Sequence, residues 1–161
     1  MDRGQDEARA FLRSVRALRS ERLQAERRIE QLRTEAEHIT TSYKLIGNVS
    51  GGGDQHKDAL LAELADRSTE LEEKIRALWR REALVDTFIE RIPDARHRAI
   101  LRLRYIDCLP WPKVQAALEA LGFWYDERQI FRLHGAALQI ARGMYPDWVK
   151  QHPELKEEET E

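Results

Sequence analysis

Between Ala8 and Ile39, apolar side chains recur at alternating steps of three and four residues: Ala8, Phe11, Val15, Leu18, Ala25, Ile29, Leu32, Ala36 and Ile39. Arg22 interrupts this seam, and charged residues fill most other positions. Such spacing keeps one stripe of an α-helix turned toward a partner, and it predicts one helix over residues 5–40. The pattern returns over 57–92 with Leu61, Leu64, Ser68, Leu71, Ile75, Leu78, Val85, Ile89 and Ile92, interrupted by Glu82. Each helix of about 35 residues spans roughly 50 Å at 1.5 Å per residue. Between the seams lies SYKLIGNVSGGGDQHKD, whose three consecutive glycines cannot continue a helix cheaply. The simplest arrangement for residues 1–92 is an antiparallel helical hairpin, a coiled coil with a Gly-rich loop near 43–57. Two thin helices would leave Leu12, Leu23, Leu60 and Trp79 partly uncovered beside the seams, so self-association, with a dimer favoured, is expected. Arg22 and Glu82 either set the register of the pairing or reach out to solvent.

After Pro93 the pattern changes to shorter elements. PDARHRAILRLRYID starts a new helix, with Asp94 placed to suit the helix dipole and Ile100, Leu101, Leu103 and Tyr105 as its apolar side. CLPWP breaks it. KVQAALEAL is a short helix with Val114, Ala117, Leu118 and Leu121 on one face, and Gly122 stops it. FWY forms a bulky turn before Asp126, a plausible N-cap. The last helix buries Ile130, Leu133, Ala137, Leu138 and Ala141. Three short helices with a turn before the last describe a helix-turn-helix domain over residues 93–145. Residues 146–161 read as an acidic tail, disordered from 150 onward. The fold class is all-α.

The chain has 161 residues and a net charge of −2, so no overall basic field points to a partner. The charge is uneven, with regional nets of +1 for 1–40, −2 for 41–93, +3 for 94–142 and −4 for 143–161. Its single cysteine, Cys108, excludes an internal disulfide framework and a multi-cysteine metal site. The N-terminal region shows no apolar signal segment, and no apolar run approaches the ~18 residues of a membrane helix. A cytoplasmic protein without a membrane partner is expected. GNVSGGGDQHK lacks the spacing of a phosphate-binding loop, and His97, Asp94 and Asp107 lack that of a zinc hydrolase. Cys108 reads as a small buried hydrophobe and His56 as a surface histidine. The expectation is no enzyme, no cofactor and no metal.

Two segments resemble a known family. IPDARHRAILRLRYID resembles the opening of region 4 of sigma-70-type factors, and DERQIFRLHGAALQIAR is similar to that region's recognition helix. The form RQIFRLHGAAL resembles a narrower group, small phage and prophage proteins related to late-gene transcription regulators of the RinA and ArpU type. Those proteins also place a helical hairpin with a serine-glycine-rich loop ahead of the region 4-like domain. The resemblance spans about residues 5–142. It implies double-stranded DNA as a partner, transcriptional control inside a bacterial host, and contact with bacterial RNA polymerase. Two departures stand out. ALEALGFWYDE lengthens the step into the last helix, and Asp126 and Glu127 stand where small or basic residues are usual. Both leave room for a reshaped turn and another base preference.

A recognition helix presents its first turns to base edges in the major groove. The base-contact candidates are Glu127, Arg128, Gln129, Phe131 and Arg132. Arg128 can grip guanine bidentately, Gln129 can pair with adenine and Glu127 can accept from cytosine. Arg96, Arg98, Arg102 and Lys113 are candidates for phosphate contacts that position the domain. His134, Trp111, Trp124 and Tyr125 read as packing residues. The same helices admit two other readings: a small terminase-like DNA-packaging subunit, or an adaptor that binds RNA polymerase without reading DNA.

Overall fold

The computed structural model describes residues 3–46 and 53–156, and every regular element among them is helical. Helix α1 runs Arg3–Ile46 and α2 runs Gly53–Glu90. The two pack against each other as a hairpin. Helix α3, Ala95–Leu101, continues into a π-helical turn at Arg102–Ile106. Helix α4 spans Trp111–Ala120 and α5 spans Glu127–Gln151, followed by a 3₁₀ turn at Pro153–Leu155.

Both long helices reach further than the seams predicted. Tyr43–Ile46 and Gly53–Lys57, assigned above to a Gly-rich loop near 43–57, are helical. Residues 47–52 lie outside the described residues. Gly53 opens α2, where a glycine costs little, and Asp54 suits the positive end of the helix dipole.

The chain forms two compact units, one of residues 18–80 and the other of 1–17 with 81–161. The divisions fall inside the long helices rather than at Pro93. In the 18–80 unit, Leu18, Ala25, Ile29, Leu32 and Leu78 are buried, while Leu61, Leu64, Leu71 and Ile75 are half-buried. Its ends close antiparallel: Gly53 lies against the ring of Tyr43, and the Arg22 guanidinium sits 3.9 Å from the centre of the Trp79 ring. Arg22 and Glu82 are each only 8% exposed, so neither interruption of the seam reaches out to solvent.

The second unit is larger than a three-helix domain. Phe11, Leu12 and Val15 of α1 join Val85, Phe88, Ile89 and Ile92 of α2 in one core with Ile100, Leu101, Tyr105, Val114, Leu118, Ile130, Ala137, Ala141 and Trp148. Leu12, expected to be partly uncovered, is fully buried. The reason is that α1 here has two partners, and its second apolar face meets the short helices. Four rings fasten this core. Phe88 lies 5.6 Å from Phe11, 6.2 Å from Tyr145 and 5.4 Å from Trp148, and Phe11 lies 5.3 Å from Tyr145. Separations of this kind suit edge-to-face aromatic packing.

The tail assignment from residue 146 is corrected by α5. The helix passes through Pro146 and ends at Gln151, with Trp148 only 3% exposed. A proline inside a helix costs about 3 kcal/mol. Burying ~200 Å² of indole at ~25 cal/mol/Å² returns about 5 kcal/mol, so the helix continues. Order persists past residue 150: Gln151 accepts from Arg91 at 3.0 Å, and Leu155 packs at the edge of the core. Residues 157–161 lie outside the described residues.

Trp148→Ala should therefore destabilise the chain by about 3–5 kcal/mol. Trp148→Phe should cost much less, because it keeps an aromatic ring and removes an indole N–H that has no hydrogen-bond partner among the described residues. Chemical denaturation of both variants checks this. Equal losses would mean that the ring does not hold the core.

Candidate functional site

The turn between α4 and α5 is pinned at both ends. Gly122, at φ +89°, ends α4 in the left-handed region. Its N–H donates to the Glu119 carbonyl at 3.0 Å, and the Phe123 N–H donates to the Leu118 carbonyl at 2.9 Å. This is a Schellman motif, with Phe123 placed to cover Leu118. At the other end Asp126 caps α5. Its carboxylate accepts from the Gln129 N–H at 2.7 Å, and the Gln129 side chain accepts from the Asp126 N–H at 2.9 Å, a reciprocal capping box. Gln115 donates to the Tyr125 carbonyl at 3.2 Å and ties the turn back to α4.

Behind this cap, α5 divides cleanly. Ile130, His134, Ala137 and Ala141 are buried, the two alanines completely, which lets the helix sit close to its neighbours. Glu127, Arg128, Phe131 and Arg132 are exposed. Among the described residues, neither Arg128 nor Arg132 is paired with a carboxylate. Gln129 is exposed too, but its side chain is engaged in the cap. The fold thus brings four of the base-contact candidates onto one stripe and gives Gln129 a structural task.

The phosphate-contact candidates are mostly occupied within the chain. Arg96 grips Asp94 through Nε at 3.1 Å and Nη2 at 2.7 Å, while its backbone N–H also bonds Asp94, the N-cap of α3, at 2.8 Å. These hydrogen bonds hold the Asp94 carboxyl well below the usual carboxylate range and raise Arg96. Arg98 donates to the Ile92 and Pro93 carbonyls at 2.6 and 2.8 Å, closing the corner after α2. Arg102 bonds Asp86 at 2.8 Å and Glu90 at 3.4 Å, and the bond to Asp86 raises its pKa. Lys113 is exposed, with no carboxylate partner among the described residues.

A second constellation escaped the sequence reading. Arg9, Arg13 and Arg16 of α1, with Arg104, Tyr105, Cys108, Trp111 and His134, line a pocket of about 300 Å³. The Tyr105 hydroxyl and His134 Nε2 are hydrogen-bonded at 3.0 Å. Trp111 stands edge-on to His134 at 4.7 Å and to Phe131 at 5.0 Å, so the pocket borders the exposed stripe of α5. Arg104 donates to the Leu109 carbonyl at 2.8 Å and lies over Trp111 at 4.7 Å. The heptad pattern gave no warning, because it assigns positions 9, 13 and 16 to a solvated face. Their spacing of four and three was the available signal, since it aligns them on one stripe.

His134 has its pKa pulled down to about 4, first by burial and then by the positive charges of Arg9, Arg104 and Arg13. The imidazole is therefore neutral near pH 7. Among the described residues, no set of three His, Cys, Asp or Glu is placed to hold a metal ion, and no helix is long and apolar enough to cross a membrane.

A base with a depressed folded-state pKa makes the unfolded state the better proton binder at acid pH. Stability linked to His134 is full above its unfolded pKa of ~6.5 and is lost as pH falls toward about 4, by on the order of 3 kcal/mol. Denaturant titrations at pH 7, 5.5 and 4.5 should show this fall, and His134→Gln should flatten it. An unchanged slope in that variant would assign the acid sensitivity elsewhere.

No curated protein and no solved structure matches the chain. One family model does match it over residues 39–129, which is 91 of its 161 residues. The match runs from the end of α1 through α4 and into the capped start of α5. The chain belongs to the family described as a protein of unknown function, DUF1492.

Proposed function

We propose that this chain binds double-stranded DNA sequence-specifically through the first turns of α5 and acts as a transcriptional regulator of phage or prophage type. The observation that carries the reading is the stripe of Glu127, Arg128, Phe131 and Arg132, exposed on a helix whose start is fixed by a capping box and whose far face is buried. Such a helix offers a guanidinium to guanine, a carboxylate to cytosine and a ring to a thymine methyl. Lys113 supplies a free cation for the backbone. The resemblance to sigma-70 region 4 and to RinA- and ArpU-type regulators supports the same assignment and adds contact with bacterial RNA polymerase. Leu23 and Trp79, about half exposed on the 18–80 unit, fit a surface for self-association into a dimer.

A second reading has its own support. Leu121 and Trp124 are 58% and 75% exposed in the turn before α5, which suits a protein partner such as polymerase in an adaptor that never reads DNA. A packaging subunit would differ from both by assembling as a ring of large mass.

Selection of bound duplexes from a random pool should return one enriched site. Arg128→Ala should then relax preference at one base pair, worth ~1–3 kcal/mol, without lowering the melting temperature. Recovery of no enriched duplex, with polymerase still captured, would replace the DNA reading by the adaptor.

A further inference from the structure

The arginine-lined pocket belongs to none of the roles assigned so far. Arg9, Arg13 and Arg16 align along about 10 Å of α1, at 1.5 Å per residue. Like charges at such spacing repel one another. Among the described residues no carboxylate answers these three. The opposite wall is firm, because Arg104 is bonded to the Leu109 carbonyl and stacked on Trp111. The backbone there is also unusual. Arg104 and Tyr105 sit in the π-helical turn, and Cys108 holds a left-handed φ of 55°, a strained setting for a residue with a Cβ. Both kinds of irregularity gather at functional sites.

We propose that this pocket is a phosphate-binding site, in which Arg9, Arg13 and Arg16 hold the oxygens of a phosphate group above a floor formed by the Tyr105–His134 pair. Guanidinium forks match phosphate geometry and select it over a spherical anion. The volume of about 300 Å³ takes the group together with part of what carries it. His134, neutral at pH 7, adds no further positive charge to the pocket. The phosphate has two sources: the backbone of a duplex lying on α5, which Phe131 and Trp111 connect to the pocket, or a free phosphorylated small molecule. The first source rests on the DNA reading above. The phosphate chemistry does not.

The test begins without DNA. Inorganic phosphate and pyrophosphate are titrated into the full chain at constant ionic strength set with potassium chloride, and the His134 imidazole is followed by NMR. Arg9, Arg13, Arg16, Arg104, Tyr105 and Cys108 are the charged or titratable groups lining the pocket with it. Expected are a saturable response and a rise in the His134 pKa, as the anion offsets the arginine field. Calorimetry should show pyrophosphate binding weakened at least tenfold in Arg13→Ala/Arg16→Ala, with an unchanged melting temperature because both residues are exposed. No response beyond chloride, or equal affinity in the double variant, overturns the site. A duplex from the selection then identifies the source. A salt slope lower by about one in the double variant assigns the phosphate to the DNA backbone. An unchanged slope in the double variant, with its pyrophosphate binding weakened as expected, assigns it to a free ligand. If no duplex is ever enriched while pyrophosphate still binds, the DNA reading alone has failed.

Discussion

Phe88 ties three helices together. Its ring, fully buried on α2, meets Phe11 of α1 and both Tyr145 and Trp148 of α5. That contact, with Leu12, Val15, Val85, Ile89 and Ile92 around it, puts the ends of α1 and α2 in one core with the short helices. With it, the N-terminal turns of α1 become a wall of the same unit that carries α5. The placement of Arg9, Arg13 and Arg16 beside Tyr105 and His134 depends on this arrangement, as does the order of α5 beyond Pro146. The ring of Phe88 stands where the three helices meet.

Much of this was legible in the sequence wherever the determinants are local. The 3–4 spacing of Val15, Leu18, Ile29 and Leu32 marks α1, and Asp126 and Gly122 mark the start of α5 and the end of α4 through backbone preferences that need no tertiary partner. What stayed hidden depends on residues far apart in the chain. Leu12 and Phe88 lie beside the seams, and nothing within a heptad tells that a second face will be covered. Trp148 follows a proline and precedes an acidic stretch, both of which imitate the end of a structure. Arg102 looked free because Asp86 stands sixteen residues earlier, on another helix. The candidate stripe on α5 was readable from periodicity except for Gln129, whose capping task is set by its spacing from Asp126. The pocket was not readable, since three arginines on a charged helix differ from solvated ones only by what folds against them.

The cations of the second unit thus fall into two kinds. Arg96, Arg98 and Arg102 are used as fasteners, each closing a corner or bridging two helices through hydrogen bonds. Arg9, Arg13, Arg16, Arg128, Arg132 and Lys113 have no carboxylate partner among the described residues. A chain of net charge −2 therefore still presents local positive surface, because carboxylates answer Arg96 and Arg102 rather than these.

The contact between Phe11 and Tyr145 spans 134 residues of chain. It gives the fold an order in time. During synthesis at ~5–20 residues per second, the first helix must wait on the order of ten seconds for the ring that covers it. The segment from 18 to 80 closes on neighbours of its own and can form while the rest is still being made. The apolar face of Phe11, Leu12 and Val15 first meets the end of α2 at Phe88, and it stays partly uncovered until Tyr145 of α5 arrives. A nascent chain held at that stage offers a sticky N-terminal stripe, so the steps most open to chaperone capture or aggregation precede the closure of the unit that carries both candidate sites.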